Sequence, residues 1–167
     1  MDKKVLLQIY HLKKYFPVKA GVFRSTVGWV KAVDDISFEV YSGDTFGIVG
    51  ESGCGKSTLG MTILRLFEPN AGRIFFEGQE ICCLSQSQFN HYRKNLQMIF
   101  QDPFSSLNPR MTVGSIIEEG MNIHKIGKPQ HRQAMVLDLL QKVGIQSDGI
   151  RRFPHEFSGG QRQRISI

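Results

Sequence analysis

The stretch Gly50-Glu51-Ser52-Gly53-Cys54-Gly55-Lys56-Ser57-Thr58 limits what this chain can fold into more than any other. It fits the pattern G-x-x-x-x-G-K-[ST], in which glycines let the backbone turn tightly and bring its N–H groups close to an anion. The apolar run Thr45-Phe46-Gly47-Ile48-Val49 before it reads as a buried strand. After it, Leu59, Ile63, Leu66 and Phe67 recur at helical spacing. Strand, glycine loop and helix form the context a phosphate cradle requires, because a helix start adds unpaired N–H donors and the positive end of its dipole. In such a cradle Lys56 reaches the outer phosphates and the Ser57 hydroxyl ligates Mg²⁺. The plainer alternative is a glycine-rich turn capped by Ser57, and the flanking strand and helix weigh against it.

At 167 residues and 41% hydrophobic content the chain has the size and make-up of one globular domain with a real core. No apolar run approaches a membrane span, and Asp2, Lys3 and Lys4 lead into a short strand-like run rather than a signal peptide. The expectation is a cytosolic protein unless a partner holds it at a membrane. Cys54, Cys82 and Cys83 are an odd set without metal-ligand spacing, which argues against a disulfide framework and against zinc. Adjacent Cys82 and Cys83 read as ordinary reduced thiols. Cys54 lies inside the glycine loop, where the plainer reading is that any small residue serves; if it is instead a reactive thiol, alkylating it should block nucleotide binding and ATP should protect it. The net charge of +6 is spread along the chain, so nucleic acid is not expected as a partner.

Taken in order, residues 3–16 read as a first strand that Pro17 stops, and 17–29 as a loop. Residues 30–41 alternate Ile36, Phe38 and Val40 with Ser37, Glu39 and Tyr41, a second strand with one buried face. Ser42-Gly43-Asp44 is a turn. Residues 68–72 break the helix, 73–76 read as a strand, and Glu77-Gly78 as its turn. A short polar helix over 85–94 and an apolar strand over 96–100 follow, then a proline-containing loop over 102–110. Thr112 is placed to cap a helix with Val113, Ile116, Ile117 and Met121 on one face. A second helix spans 130–143 on Val136, Leu139, Leu140 and Val143, and Gly144 ends it. Residues 145–156 are irregular.

Ser158-Gly159-Gly160-Gln161 opens a basic helix and is a second anion-binding arrangement, a hydroxyl and two glycine N–H groups at a helix start. Alone, such a sequence is more often only a turn. With a phosphate loop upstream the balance reverses, because one loop already holds the phosphates and the second site needs another role.

At this point the sequence resembles the ATP-binding subunits of ABC transporters. Gly50 to Ser57 matches their Walker A motif, and Phe157 to Gln161 resembles their signature motif, with Phe157 where leucine is commoner. Gln101 sits where their Q-loop glutamine does. The stretches Phe100-Gln101-Asp102-Pro103-Phe104-Ser105-Ser106-Leu107-Asn108-Pro109-Arg110-Met111-Thr112 and Pro154-His155-Glu156-Phe157-Ser158-Gly159-Gly160-Gln161-Arg162-Gln163-Arg164 look like the oligopeptide/dipeptide importer type, as does Val30-Lys31-Ala32-Val33-Asp34. The resemblance implies an α/β fold: a P-loop NTPase core with an N-terminal antiparallel β subdomain and a helical insertion. The divisions would be a β subdomain and core strands over 1–49, the P-loop, first helix and Q-loop strand over 50–101, a helical subdomain over 102–157, and the signature motif from 158 to 167.

The resemblance also implies a mechanism in two copies. Two ATPase subunits, alike or different, pair head to tail, so that Ser158, Gly159, Gly160 and Gln161 act in trans on ATP held by the other subunit's loop. Gln101 would contact Mg²⁺ or the attacking water and sense permease subunits docked near residues 102–110, at the cytoplasmic face of the membrane. A solute-binding protein would be an indirect partner. Tyr15 is the aromatic placed to stack on adenine, with Phe16 the alternative. The plainer alternative is a core or rim aromatic.

The family's Walker B carboxylates and switch histidine lie after the signature helix. No run in this sequence matches them: Ile116-Ile117-Glu118-Glu119 precedes the signature and sits in a helical pattern, and His11, His91, His124, His131 and His155 all precede it too. The expectation is an incomplete ATPase domain that binds nucleotide weakly, does not turn it over at the family's rate, and exposes a sheet edge. A nucleotide-binding module without turnover is one alternative. An ABC-type ATPase of DNA maintenance is another, but zinc-binding cysteine pairs and heptads are missing from the sequence. The solute could be a peptide, nickel or another small molecule.

Overall fold

The computed structural model describes residues 3–22, 24–100 and 106–167, in two compact units, Met1–Met98 and Ile99–Ile167. The first is built on an antiparallel sheet in the order β2-β1-β3-β4, with β1 Val5–Ala20, β2 Ser25–Tyr41, β3 Ala71–Phe76 and β4 Gln79–Glu80. Apolar residues at alternate or near-alternate positions put Ile9, Leu12, Val33, Ile74 and Phe76 into one core. Helix α1, Lys56–Ile63, closes over that core with Leu59. Its buried Thr62 hydroxyl is satisfied by the Thr58 carbonyl at 2.7 Å. The Glu77-Gly78 turn joins β3 to β4 with φ positive at both residues (52° and 82°), the backbone twist a two-residue hairpin needs.

Four expectations for this unit are corrected. Pro17 does not end the first strand: β1 runs on to Ala20 and β2 begins at Ser25, so residues 17–20 and 25–29 are paired strand rather than loop. Beyond Lys13↔Ala71, β1 pairs with β2 alone. It is an edge strand there, where the missing proline N–H is tolerated. The face of β2 expected to be buried is only partly so, because Ile36 is exposed while Phe38 stacks on Phe46 with ring centroids 4.8 Å apart. Residues 45–49 and 96–100 form no sheet strand, and Val49 is 93% exposed. An apolar run of this kind becomes a strand only with neighbours on its edges, and no described strand pairs with either. Helix α1 stops at Ile63. Arg65 takes φ 52°, the N–H groups of Leu66 and Phe67 both return to the Met61 carbonyl, and Leu66 leaves the apolar face.

Arg65 explains its own unusual backbone. Its guanidinium donates to the carbonyls of Ile81 (3.0 Å) and Leu84 (2.8 Å) and lies 4.9 Å from the Phe89 ring centre. Phe89 ends α2, Gln86–Phe89, a shorter helix than the sequence suggests, started by a reciprocal Ser85–Gln88 capping box.

The second unit is helical. Thr112 caps α3, Val113–Ile123, its hydroxyl accepting from the Ser115 N–H at 3.3 Å as the sequence predicts. Helix α4, Pro129–Lys142, starts one residue earlier than expected, with proline in its first turn. It ends at Gly144 (φ 71°), past which the Ile145 N–H returns to the Leu140 carbonyl. Val136 and Leu140 are buried with Val113, Met121, Ile145, Phe157 and Ile165. Leu139, expected on that face, is 41% exposed. The irregular stretch contains two 3₁₀ turns, Ser147–Arg151 and Pro154–Glu156, before α5, Gly159–Ser166. No helix among the described residues is long and apolar enough to cross a membrane.

Candidate functional site

The glycine loop is held from three sides. Gly55 precedes α1 at φ 98°, and a Cβ there would lie 1.9 Å from the Ala32 carbonyl oxygen, so the backbone of β2 occupies the space a side chain would need. The Lys56 ammonium folds back over the loop and donates to the carbonyls of Gly50 (2.8 Å) and Glu51 (2.6 Å), 3.6 Å from the Cys54 sulfur. The Leu59 N–H closes the first helical turn onto the Gly55 carbonyl at 2.8 Å. The N–H groups of Lys56, Ser57 and Thr58 precede that bond and have no intrahelical acceptor. They join the Lys56 charge at the positive end of α1, an arrangement suited to a polyanion. Ser57 is exposed beside them, as are Glu51, Ser52, Gly53 and Cys54.

A cavity of about 300 Å³ runs from Cys54, Gly55 and Lys56 to Lys31 and Asp34 on β2. Tyr15 does not line it but touches two residues that do, Lys31 and Asp34. It faces Lys31 in register, the Lys31 ammonium lies 5.5 Å from its ring centre, and its hydroxyl donates to the Asp34 carboxylate. Phe16, the alternative, is instead packed edge-on against Phe67 with centroids 5.3 Å apart. Sequence reasoning missed Lys31 and Asp34. The signal was the cross-strand register, which becomes readable only when 17–20 and 25–29 are recognised as paired strand.

The Tyr15 hydrogen bond, helped by Lys31, holds the Asp34 carboxyl below its ordinary range, and the same bond raises the Tyr15 phenol. The contribution of Asp34 is present above the ordinary carboxylate range and is lost as pH falls through its lowered value. That of Tyr15 is present below the ordinary phenol value and is lost as pH rises through its raised one. Tyr15→Phe should therefore move the Asp34 titration upward in a carbon-detected NMR pH series. An unmoved Asp34 curve would show that the bond does not form in solution.

The second anion arrangement lies in the helical unit. Ser158 caps α5, its hydroxyl accepting from the Gln161 N–H at 3.3 Å while the Gln161 side-chain oxygen accepts from the Ser158 N–H at 2.9 Å. Ser158, Gly159 and Gly160 are exposed, and nothing lies within 4 Å of a Cβ placed on either glycine. Phe157 beside them points the other way, into the core, with the Arg152 guanidinium 4.7 Å from its ring centre. Gln101 and residues 102–105 lie outside the described residues. Leu107, in the stretch expected near the permease, is buried, while Asn108, Pro109 and Arg110 are exposed.

Comparisons with known proteins agree with this architecture. The chain is 52% identical over 167 residues to the oligopeptide transport ATP-binding protein AppF of Bacillus subtilis, covering 99% of this chain and 51% of AppF. It is 50% identical over 164 residues to the oligopeptide transport ATP-binding protein OppF of the same organism, covering 97% of this chain and 52% of OppF. It thus spans about half the length of these relatives. The fold matches a dimeric, post-hydrolysis structure of the ATP-binding cassette MJ0796 bound to ADP and Pi, with a TM-score of 0.79 at 22% identity over 96% of this chain and 67% of that one. The fold is therefore that of an incomplete ABC nucleotide-binding domain. Residues 33–167 match the ABC transporter family, and the chain belongs to it.

Proposed function

We propose that this chain is the phosphate-holding part of an ATPase subunit that couples ATP binding and hydrolysis to import of peptides or similar small solutes. The observation that carries the reading is the loop geometry: Gly55 closed against the Ala32 carbonyl, with Lys56 folded over the loop at the start of α1. The peptide class is supported by the two relatives, both described as oligopeptide transport ATP-binding proteins. Gly50, Glu51, Ser52, Gly53, Cys54, Gly55 and Thr58 supply the backbone cradle, and Tyr15 takes the base. Lys56 exchanges its two loop carbonyls for phosphate oxygens, trading neutral acceptors for charged ones.

Mg²⁺, when bound with the nucleotide, neutralises charge developing on the phosphates. The chain fits an ion brought in with nucleotide. Ser57 offers one exposed hydroxyl, and no group of three or more acidic, histidine or cysteine side chains among the described residues is placed to hold a metal alone. Gln101 is assigned beside it by its position in the sequence. Ser158, Gly159, Gly160 and Gln161 act in trans on a second ATPase subunit paired head to tail, an assignment supported by the exposure of Ser158 and the two glycines on the helical unit. Permease subunits dock near 102–110 and hold the chain at the cytoplasmic face of the membrane, with a solute-binding protein acting through them. The divisions at 49/50, 101/102 and 157/158 belong to the same reading.

Calorimetric titration of the purified chain with ATP tests it. Lys56→Ala should weaken binding by about 10- to 100-fold, the loss of one or two charge-assisted hydrogen bonds. Unchanged affinity in that variant would remove the loop from the nucleotide site.

A further inference from the structure

The hairpin formed by the far halves of β1 and β2 carries an aromatic residue that the loop reading leaves unused. From Tyr15 to Val18 the register is unbroken: Tyr15↔Lys31, Phe16↔Val30, Pro17↔Trp29, Val18↔Gly28. Opposed residues share a face and alternate pairs return to it, so Tyr15, Lys31, Pro17 and Trp29 lie on one face of the ribbon. The position of Lys31 over the Tyr15 ring agrees with that face. Trp29 is 57% exposed, and among the described residues it has no ring or cation partner. Phe16, on the opposite face, is occupied by Phe67. Lys31 and Asp34, the neighbours of Tyr15, line the same cavity as Gly55 and Lys56.

We propose that Trp29 extends the base platform begun by Tyr15, so that a purine nucleotide anchored at Lys56 lays its base along a Tyr15–Trp29 strip. The inference rests on reading the Lys56 loop as an ATP site. An indole offers a large π-face, and a diagonal neighbour on the same face of a two-stranded ribbon is within reach of aromatic side chains. Trp29 thereby acts on the base alone and leaves the phosphates to the loop.

Trp29 is the only tryptophan in the chain, so its emission reports on the strip directly. ATP and inorganic tripolyphosphate are titrated into the full chain, with binding followed by calorimetry and by Trp29 emission. ATP should quench the emission saturably and tripolyphosphate should not. Trp29→Ala should weaken ATP about tenfold, the size of one base–aromatic stack, and leave tripolyphosphate unchanged. Trp29→Phe should recover most of the loss, which a merely structural role at an exposed ribbon position would not produce. ATP binding that requires Lys56 yet leaves both the emission and the Trp29→Ala affinity untouched overturns the strip while the phosphate site stands. If neither ATP nor tripolyphosphate binds, the ATP reading itself falls and the strip with it.

Discussion

Alanine at position 55 should unseat the phosphate loop and abolish measurable ATP binding. The added Cβ would lie 1.9 Å from the Ala32 carbonyl oxygen and 3.1 Å from its carbon, both main-chain atoms of β2 that cannot swing aside as a side chain would. The residue would also have to hold φ near 98°, a region costly for any residue with a Cβ. Strain and displacement together should cost about 2–5 kcal/mol. Gly53→Ala is the matched control. It carries a similar backbone demand (φ 84°), but nothing lies within 4 Å of its Cβ. It should lose only about 1 kcal/mol and keep most of its ATP affinity. Urea unfolding followed at Trp29 reads the stability of this unit. A Gly55→Ala chain as stable as Gly53→Ala, with ATP affinity intact, would mean that the close approach of β2 is not what shapes the loop.

Phe157→Ala should be the most damaging single change in the helical unit, at about 3–5 kcal/mol. The ring is buried among Val113, Met121, Val136, Leu140 and Ile165. It also approaches Gly149 so closely that a Cβ there would be 3.2 Å from the ring tip. Phe157 is the last residue before the Ser158–Gln161 capping box, so its removal frees the start of α5 as well as opening a cavity. Phe157→Leu should cost about 1–2 kcal/mol, since most of the apolar volume stays. Hydrogen exchange at the Val136 and Leu140 amides measures this, because the tryptophan lies in the other unit. Amides that stay fully protected in Phe157→Ala would show that the core closes without the ring.

Features set by neighbours in sequence were legible before the structure. The start of α1 after the glycines, the Thr112 cap, the Glu77-Gly78 turn and the stop at Gly144 depend on residues within a few positions of one another, and all four stand in the structure. The misses depend on distant partners. The run 45–49 is apolar enough for a buried strand but has no described strand beside it. Pro17 reads as a breaker only if β1 is taken as central, and beyond Lys13 it is an edge. Leu66 fits the helical period, yet Arg65 ends the helix because two carbonyls near residue 82 take up its guanidinium. At the candidate site, the loop and the Ser158–Gln161 box were visible as motifs, whereas Asp34 and Trp29 came into view only through the strand register.

The double anchorage of α1 also bears on how this chain can change over generations. At one end the helix meets the Ala32 carbonyl through Gly55, and at the other it is riveted by Arg65 to the carbonyls of Ile81 and Leu84. Inserting or deleting one residue between 55 and 65 would rotate one end by about 100° and shift it by about 1.5 Å. No side-chain substitution restores that angle. Composition along this segment is free to drift wherever it faces solvent, but its length is not, and a single-codon insertion there should be purged even where nearly any single replacement would pass.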